Sequence, residues 1–500
     1  MRKLKGILGS KAMITAVLLL IQFALIFVIQ LRFGNLFVYY YFISFAIALL
    51  LSIRVINRRI NSGYKIAWIL MLLVFPTFGP WLYVTLNGDT FKRLSAKKID
   101  KIEQSVKDHF KIDTKPSFDK KYGELISNYI KNKNYSTPVK NTRSSYFKSG
   151  EEFFESLTRD LLKAEHHIYM EYFIIRKGYM WERIKSILAQ KAQAGVDVRI
   201  LVDDFGSIDG FSRKEKKSIK DAGIKIKFFN PFVPIITTVL NNRDHRKICV
   251  IDTEIAYCGG VNIADEYINL DDKYGYFKDS GIAMYGEAAY NFEVFFLSLW
   301  EYVSSDKTDI IRPEYPSLDC GIFQPYADHP TDDEFLSKNI YMDMINRAEK
   351  YVYISTPYFA VDDEILTSIL NSAKSGIDIR LIVPHIPDKV LVNQVAKSHY
   401  KTLISAGVKV YEYEKGFNHS KLVVVDDTMA TVGSVNFDYR SFYLSYECGV
   451  WMYRTDSIPS VKADFLDMMN KSIEITEKSA QANVIVRILR AILAAFSPMF

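Results

Sequence analysis

Cysteine is scarce in this chain of 500 residues, and its four cysteines show no paired CxxC spacing. Zinc-binding and disulfide-rich domains depend on such spacings, so the sequence predicts neither a zinc site nor a disulfide framework. Two of the thiols, Cys249 and Cys258, lie in strand-like apolar runs, where a small buried side chain is the ordinary role. We therefore expect no metal and no other cofactor.

A strong excess of one charge is also missing. The net charge is +7, which is modest for a chain of 500 residues. The basic residues that do cluster lie beside apolar runs, at Arg2–Lys11, Arg54–Lys65 and Lys92–Lys101. This placement favours an anionic membrane surface over a nucleic acid as partner. The same clusters would serve equally well as signals that orient membrane spans.

Long apolar runs are present, and they all lie near the N-terminus: Ala12–Leu31, Leu36–Ile53 and Tyr64–Leu86. The first and third reach the ~20 residues that cross a hydrocarbon core, and the second is close to that length. The first run lacks the small-residue pattern of a cleaved signal peptide. We therefore expect a multi-pass protein of the bacterial cell membrane.

The charges that flank these runs leave two topologies open. Three full crossings, starting from a basic N-terminus inside, would place the rest of the chain outside, yet Lys92–Lys101 argues for inside. Pro76, Gly79 and Pro80 would remove the conflict by breaking the third run into a re-entrant hairpin.

The most informative pattern is a string of 18 residues that occurs twice, at 245–262 and 419–436. Each copy has His-x-Lys, an Asp seven residues after the His, and a Gly-containing end that closes on Asn. The positions of interest are His245, Lys247, Asp252 and Asn262 in the first copy, and His419, Lys421, Asp426, Ser434 and Asn436 in the second. Two copies with the same internal spacing predict a duplicated catalytic half-site.

The spacing explains which side chains can act together. Residues i and i+2 of a strand share a face, so each His and its Lys point the same way. Asp252 and Asp426 have the opposite parity, and we interpret them as groups that brace the turn or the Lys, although they belong to the catalytic motif. The Gly-containing ends would let a substrate oxygen approach the backbone, with Asn262, Ser434 and Asn436 as candidate substrate-binding residues.

Two imidazoles, two ammonium groups and two carboxamides at one point suit a phosphodiester. One neutral His can attack phosphorus and form a phosphohistidine, and the other can protonate the leaving alkoxide. The lysines and asparagines would hold the non-bridging oxygens without a metal.

These motifs resemble those of the phospholipase D superfamily and, within it, bacterial cardiolipin synthases. The resemblance extends from about residue 64 to the end, and further text that supports it is IYMEYFI at Ile168–Ile174, TPYFAVDDE at Thr356–Glu364 and NFDYRSF at Asn436–Phe442. It implies that His245 and His419 are catalytic, that Lys247 and Lys421 bind phosphate, and that Asp279 and Glu447 orient the histidines.

The resemblance also implies a reaction, namely transfer of a phosphatidyl group from one phosphatidylglycerol to another through a phosphatidyl-histidine. Superfamily precedent makes His245 the nucleophile and His419 the general acid. Glu447 would then be a partner that raises the pKa of His419, and Asp279 could do the same for His245. The alternatives are a hydrolytic phospholipase D, a membrane-anchored nuclease and an inactive membrane scaffold; the sequence predicts no oligomeric state.

Repeated text outside the motifs predicts the architecture. AGVDVRILV at Ala194–Val202 corresponds to SGIDIRLIV at Ser375–Val383, and each half alternates helical patterns with short Val/Ile-rich strands. We expect an α/β fold of two pseudo-twofold-related phospholipase D-like α/β/α domains, preceded by transmembrane helices. The expected limits are an anchor over 1–90, a basic linker or collar over 91–145, domains over 146–315 and 316–480, and an amphipathic segment over 481–500 that either lies on the membrane or docks on the protein.

Overall fold

A computed structural model describes residues 27–28, 37–58, 60–86, 89–111, 116–208, 210–231, 242–332 and 334–499. Its helices are α1 Phe37–Ile56, α2 Ser62–Val74, α3 Gly79–Leu86, α4 Asp89–Val106, α5 Lys121–Asn134, α6 Gly150–Leu161, α7 Tyr179–Gln193, α8 Arg213–Asp221, α9 Glu287–Ser304, α10 Leu336–Asn346, α11 Asp363–Lys374, α12 Val390–Ser405, α13 Tyr439–Tyr443, α14 Ile458–Asn470 and α15 Val484–Phe496. Short 3-10 turns span Lys107–Phe110, Asp265–Ile268 and Ser497–Met499.

The strands form two large sheets. They are β1 Thr142–Phe147, β2 His167–Tyr172, β3 Asp197–Asp203, β4 Lys225–Phe229, β5 Arg243–Asp244, β6 Lys247–Ile251, β7 Ile255–Gly259, β8 Tyr276–Lys278, β9 Gly281–Gly286, β10 Ile322–Asp328, β11 Tyr351–Ser355, β12 Phe359–Ala360, β13 Asp378–Pro384, β14 Lys409–Tyr413, β15 Gly416–Asn418, β16 Leu422–Val425, β17 Met429–Gly433, β18 Phe437–Asp438, β19 Ser445–Tyr453 and β20 Ser472–Ile475.

The two sheets share one topology. The first has the strand order β1-β9-β7-β6-β2-β3-β4, and the second runs β10-β19-β17-β16-β11-β13-β14-β20. In the first sheet, β2 pairs parallel with β3 and antiparallel with the motif strand β6. In the second sheet, β11 pairs parallel with β13 and antiparallel with the motif strand β16. The predicted fold class, two phospholipase D-like α/β domains, is confirmed; the expected domain limits remain a prediction.

The motif strands are apolar throughout because both of their faces are buried. Ile248 and Val250 of β6 lie in one cluster with Leu422 and Val424 of β16, together with residues of α9 and α14. The alternate side chains, such as Cys249, enter separate outer clusters that α6 and α7 cover in the first half, and α10 and α11 cover in the second. The central cluster therefore joins the two sheets behind the motifs.

The N-terminal helices depart from the predicted spans. Among the residues that the structure describes, α1 is the one helix long and apolar enough to cross a membrane, over Val38–Ile56. For the run Tyr64–Leu86 the sequence left open a full crossing or a break at Pro76, Gly79 and Pro80. The structure has the break, since the chain leaves the helix after α2 and resumes at α3. The run Ala12–Leu31 lies almost wholly outside the described residues.

The segment expected to be a linker packs on the catalytic body. Ile99 of α4 and Phe110 are buried in the central cluster, and Ile126 and Ile130 of α5 are buried against the second sheet. Its polar residues add contacts, as where Glu103 accepts or shares a proton with His329 across 3.0 Å. Burial of these apolar side chains makes the described parts of this segment, up to residue 111 and from residue 116 on, part of the folded body.

Of the two roles that the sequence left open for the C-terminal segment, the structure shows docking of helix α15 on the protein. One side lies on α12, where Arg490 Nε donates to Gln394 Oε1 across 3.0 Å. The other side is apolar and faces outward, and its most exposed side chains are Val484, Ile485, Ile488, Leu489 and Ile492. The helix is therefore docked on the protein and still offers an apolar face.

Candidate active site

Each motif histidine is anchored to the other half of the molecule. The chain before His245 forms β5, which pairs with β19, and the His245 N–H donates to Tyr446 O across 2.9 Å. The chain before His419 forms β15, which pairs with β8, and the His419 N–H donates to Lys278 O across 2.7 Å. This exchange of short strands brings both imidazoles into one cleft.

The carboxylates that hold the histidines are exchanged in the same way. His245 Nδ1 lies 3.0 Å from both carboxylate oxygens of Glu447, and His419 Nδ1 lies 2.7 Å from Asp279 Oδ2. The predicted pairing, Glu447 with His419 and Asp279 with His245, is therefore wrong. It failed because strands β8, β9 and β19 carry each acid across the interface to the opposite motif, which motif spacing alone does not reveal.

Asp279 and Glu447 occupy equivalent places in the two sheets. Asp279 stands two residues before Gly281, which pairs with Gly259, and Glu447 stands two residues before Gly449, which pairs with Gly433. Their neighbours differ. Gly260 leaves room for Asp279, since a Cβ there would lie 2.1 Å from Asp279 Oδ1, whereas the corresponding Ser434 donates its hydroxyl to Glu447.

Burial and nearby cations set the charge of the imidazoles. Burial, with Lys247 and Lys421 nearby, lowers the pKa of His245 well below its ordinary value. Burial and then Lys421 lower the pKa of His419 to about 4, against the opposing pull of Asp279. Both histidines are therefore neutral at pH 7, and each Nδ1 lies within hydrogen-bond distance of a carboxyl group. Burial also raises the pKa of Glu447 well above its ordinary value.

The motif lysines lie beneath the histidines. Lys247 Nζ donates to the carbonyl of His245 across 2.6 Å, and Lys421 Nζ donates to the carbonyl of His419. Burial lowers the pKa of Lys247, and it lowers the pKa of Lys421 to about 7. The two lysine amino groups therefore lie close to the imidazoles, and burial removes part of their hydration.

Asp252 and Asp426 lie away from the cleft and brace the start of a neighbouring strand. The Asp252 carboxylate accepts the N–H groups of residues 165, 166 and 167, at 2.7, 2.8 and 2.7 Å. The Asp426 carboxylate accepts those of residues 349, 350 and 351, at 2.6, 2.8 and 2.8 Å. Both have left-handed φ angles, of 52° and 53°. This agrees with the bracing interpretation and removes both from contact with a substrate.

The three candidate substrate-binding residues fall in different places. Asn262 lines the cleft, but its amide is occupied, accepting from Ile174 N and donating to Tyr267 OH. Asn436 lines the cleft with its Oδ1 buried and without a hydrogen-bond partner. Ser434 lies behind Glu447 and does not line the cleft. Asn436 is thus the one of the three with an amide oxygen still to be satisfied.

The cleft has a volume of about 320 Å³ and is lined by His245 and His419 together. Sequence reasoning missed the rings that flank them. Phe173 lies 5.1 Å from the His245 ring, whereas Tyr267, Phe277 and Phe417 surround the His419 ring at 5.5, 5.4 and 5.8 Å. The sequence difference that indicates such a ring is visible for Phe417, which stands two residues before its His, where the other copy has Arg243.

Within the described ranges, no group of three His, Cys, Asp or Glu side chains is placed to hold a metal ion.

Comparison with known families gives a match that covers more than half of the chain. The model described as "Cardiolipin synthase, PLD-like domain" matches residues 157–300 and 341–469, which contain both motifs. The chain belongs to the cardiolipin synthase family. A second model, "Phospholipase_D-nuclease N-terminal", matches residues 46–86, which overlap α1 and include α2 and α3. With α1, this match indicates a membrane protein.

The relatives agree with the family, and a solved structure agrees with the fold. A "Cardiolipin synthase 2" of Bacillus anthracis is 36% identical over 86% of this chain and 85% of its own, and a "Cardiolipin synthase" of a Geobacillus species is 34% identical over 91% of both chains. The crystal structure of phosphatidylserine synthase from Haemophilus influenzae has a TM-score of 0.56 at 15% identity, covering 75% of this chain and 97% of its own. The cardiolipin synthase family implies a phosphatidyltransferase of the phospholipase D superfamily that acts on phospholipids.

Proposed function

We propose that this protein transfers the phosphatidyl group of one phosphatidylglycerol to a second phosphatidylglycerol, giving cardiolipin and glycerol. The observation that carries the proposal is a single cleft lined by two imidazoles, each held at Nδ1 by a carboxylate, which leaves Nε2 as the nitrogen that can act on a substrate. This arrangement provides one nucleophile and one proton carrier on either side of a phosphodiester.

In the first step, His245 Nε2 attacks phosphorus, the bond from phosphorus to the glycerol oxygen breaks, and His419 gives its proton to that oxygen. In the second step, His419 takes the proton of the second lipid's hydroxyl, that oxygen attacks phosphorus, and the bond from phosphorus to His245 breaks. His245 carries the phosphatidyl group between the two steps. The near-identical first contacts of the two histidines support double displacement, and the assignment of His245 rests on superfamily precedent.

Electrostatics explain how His419 becomes an acid although its pKa is about 4 in the empty cleft. A phosphodiester anion between the imidazoles opposes the lysine charges and raises the pKa of both histidines. His419 is therefore protonated when the substrate is bound, which is when there is an alcohol oxygen to receive the proton. Lys247 and Lys421 then balance the charge that moves onto the phosphoryl oxygens.

Other residues act by positioning. Glu447 and Asp279 fix the tautomer of His245 and His419, Ser434 holds Glu447, and Asp252 and Asp426 hold the strands. Transfer to lipid is favoured over hydrolysis by the family. A multi-pass topology would need further crossings beyond α1, and it remains a prediction together with the anionic character of the membrane.

The test is a product analysis with purified protein and phosphatidylglycerol as the sole lipid. Cardiolipin and glycerol in equal amounts are expected. Phosphatidic acid with glycerol, and no cardiolipin, would replace the proposal with hydrolysis. The His245→Ala protein is the control, because it retains the fold but lacks the proposed nucleophile.

A further inference from the structure

A second cavity, of about 290 Å³, adjoins the catalytic cleft on the His245 side. The two cavities share a wall that contains Phe173, which contacts His245, and Arg243, which stands two residues before it. Beyond this wall the lining turns apolar, with Phe205, Ala360, Val392, Val395 and Tyr439. The catalytic cleft therefore has an apolar space directly beside it, across the side chains that both cavities share.

The apolar cavity lies beside the membrane helices. Tyr439 packs edge-on against Tyr64 of α2, with ring centroids 5.8 Å apart. Ser497 lines the cavity, and its 3-10 turn lies against α2, while Met499 packs on the cluster that contains Trp68. Just outside, Val390 and Leu391 of α12 are 63% and 55% exposed, an apolar rim next to the docked α15. A long chain leaving this cavity would pass the apolar rim and α2, which packs on the apolar helix α1.

The flank of the cleft around His419 is aromatic instead. Tyr267, Phe277 and Phe417 surround the His419 ring there. The charge differs as well. Four residues after the motif asparagine, the first copy has Glu266, paired with Arg176 across 2.6 Å, and the second has Arg440, which lies on the shared wall. The His245 flank therefore combines an apolar cavity with basic residues.

The charges on the shared wall suit a phosphate with ester groups attached. Three cations line it, Arg243, Lys389 and Arg440. The acid on the same wall, Asp438, caps α13 by accepting from Ser441 N across 2.7 Å, and Arg243 is also paired with the buried Asp203 across 3.5 Å. A phosphate reaching from the histidines would meet positive charge on this side, with apolar surface behind it.

We infer that the second cavity is the phosphatidyl site, which holds the diacylglycerol end of the lipid while its phosphate lies between the two histidines. This inference rests on the proposed function and deepens it. Because the cavity is next to His245, a phosphatidyl group carried on His245 Nε2 keeps its acyl chains in the bilayer throughout both steps. The alcohol that leaves and the alcohol that attacks then use the part of the cleft that faces away from this cavity.

The test fills the cavity and compares two neighbouring substitutions on α12. Val392→Trp places an indole in the cavity, and Leu391→Trp places the same ring on the exposed rim, which lines neither cavity. Each variant is assayed on phosphatidylglycerol vesicles and on bis(p-nitrophenyl) phosphate, a soluble phosphodiester without acyl chains. We expect Val392→Trp to lose about 100-fold of its lipid turnover, since a displaced substrate misses the reactive geometry, and to keep the soluble reaction within about twofold. Leu391→Trp should match the wild type on both.

Phe205→Glu is a second variant that keeps the fold, because Phe205 is half exposed. A carboxylate there opposes acyl chains and should again reduce lipid turnover alone. Lipid turnover in Val392→Trp and Phe205→Glu equal to that of Leu391→Trp would overturn the inference, as would an equal loss on both substrates. Wild-type protein that makes no cardiolipin in this assay would instead refute the proposed function.

Discussion

The surroundings of His245 and of His419 differ far more than the two motifs do. Both imidazoles are held at Nδ1 by a carboxylate from the opposite half, and both have a lysine beneath them. His419, however, is enclosed by three aromatic rings, and His245 faces a basic wall with an apolar cavity behind it. Duplication supplied two equivalent chemical groups, and the divergence of the flanking residues gave them different access to substrate.

The largest effect is expected when either of the two equivalent histidines is replaced. His245→Ala and His419→Ala should each lower turnover by roughly 10⁴-fold or more, because nucleophile and acid act as one unit. The double variant should lose little beyond either single one. Steady-state assays on proteins with unchanged circular dichroism make the measurement, and a tenth of wild-type activity in one single variant would remove that histidine from catalysis.

The next prediction separates the two roles. Glu447→Gln and Asp279→Asn should each cost roughly 10²–10⁴-fold, because the histidines lose the carboxylate that fixes the tautomer. With a p-nitrophenyl phosphodiester, whose leaving group needs little protonation, the burst of product should recover in Asp279→Asn and stay slow in Glu447→Gln. Recovery in the opposite variant would exchange the roles of His245 and His419.

The buried Lys421 predicts that kcat/KM depends on pH differently in the wild type and in Lys421→Arg. The pKa of Lys421 is lowered by burial to about 7, so its charge is present below that pH and lost as pH rises through it. We expect kcat/KM to fall above about pH 7, with a slope approaching tenfold per pH unit. Lys421→Arg keeps its charge at all these pH values and should flatten this limb if it remains active; an unchanged limb would assign the titration to another group.

The smallest effect on turnover is expected where the two copies are alike. Asp252→Asn and Asp426→Asn each weaken three hydrogen bonds from backbone N–H groups and leave the cleft untouched. Asn tolerates the left-handed φ of these positions. Each substitution should lower the free energy of unfolding by about 1–3 kcal/mol with turnover per folded molecule nearly unchanged. A large loss of turnover at unchanged stability would return these residues to the active site.

Much of the fold was predictable because the sequence repeats its strands and motifs at matching spacings. The duplicated sequence placed His245 and His419 at equivalent positions just before β6 and β16, although neither histidine is itself within a strand. The apolar residues that follow form strands buried on both faces. The exchange of Asp279 and Glu447 was not predictable from one sequence, because it depends on how β8 and β19 cross the interface.

The membrane region shows a different limit. Hydropathy identified Tyr64–Leu86 as one run but could not fix where it would break, and the break at Pro76 and Gly79 yields two helices too short to cross. An apolar run long enough to span a membrane can also form helices that pack on the protein, and α2 packs in this way through Tyr64. Pro76, Gly79 and Pro80 within this run were the residues that indicated the break.

The most direct test of the account is to trap the covalent intermediate. The enzyme is mixed with phosphatidylglycerol that carries a phosphorus label, quenched during turnover, digested and mapped under conditions that preserve phosphohistidine. The account predicts label on the peptide that contains His245, and none in the His245→Ala protein. Label on His419 instead, or cardiolipin formation with no labelled histidine, would contradict it.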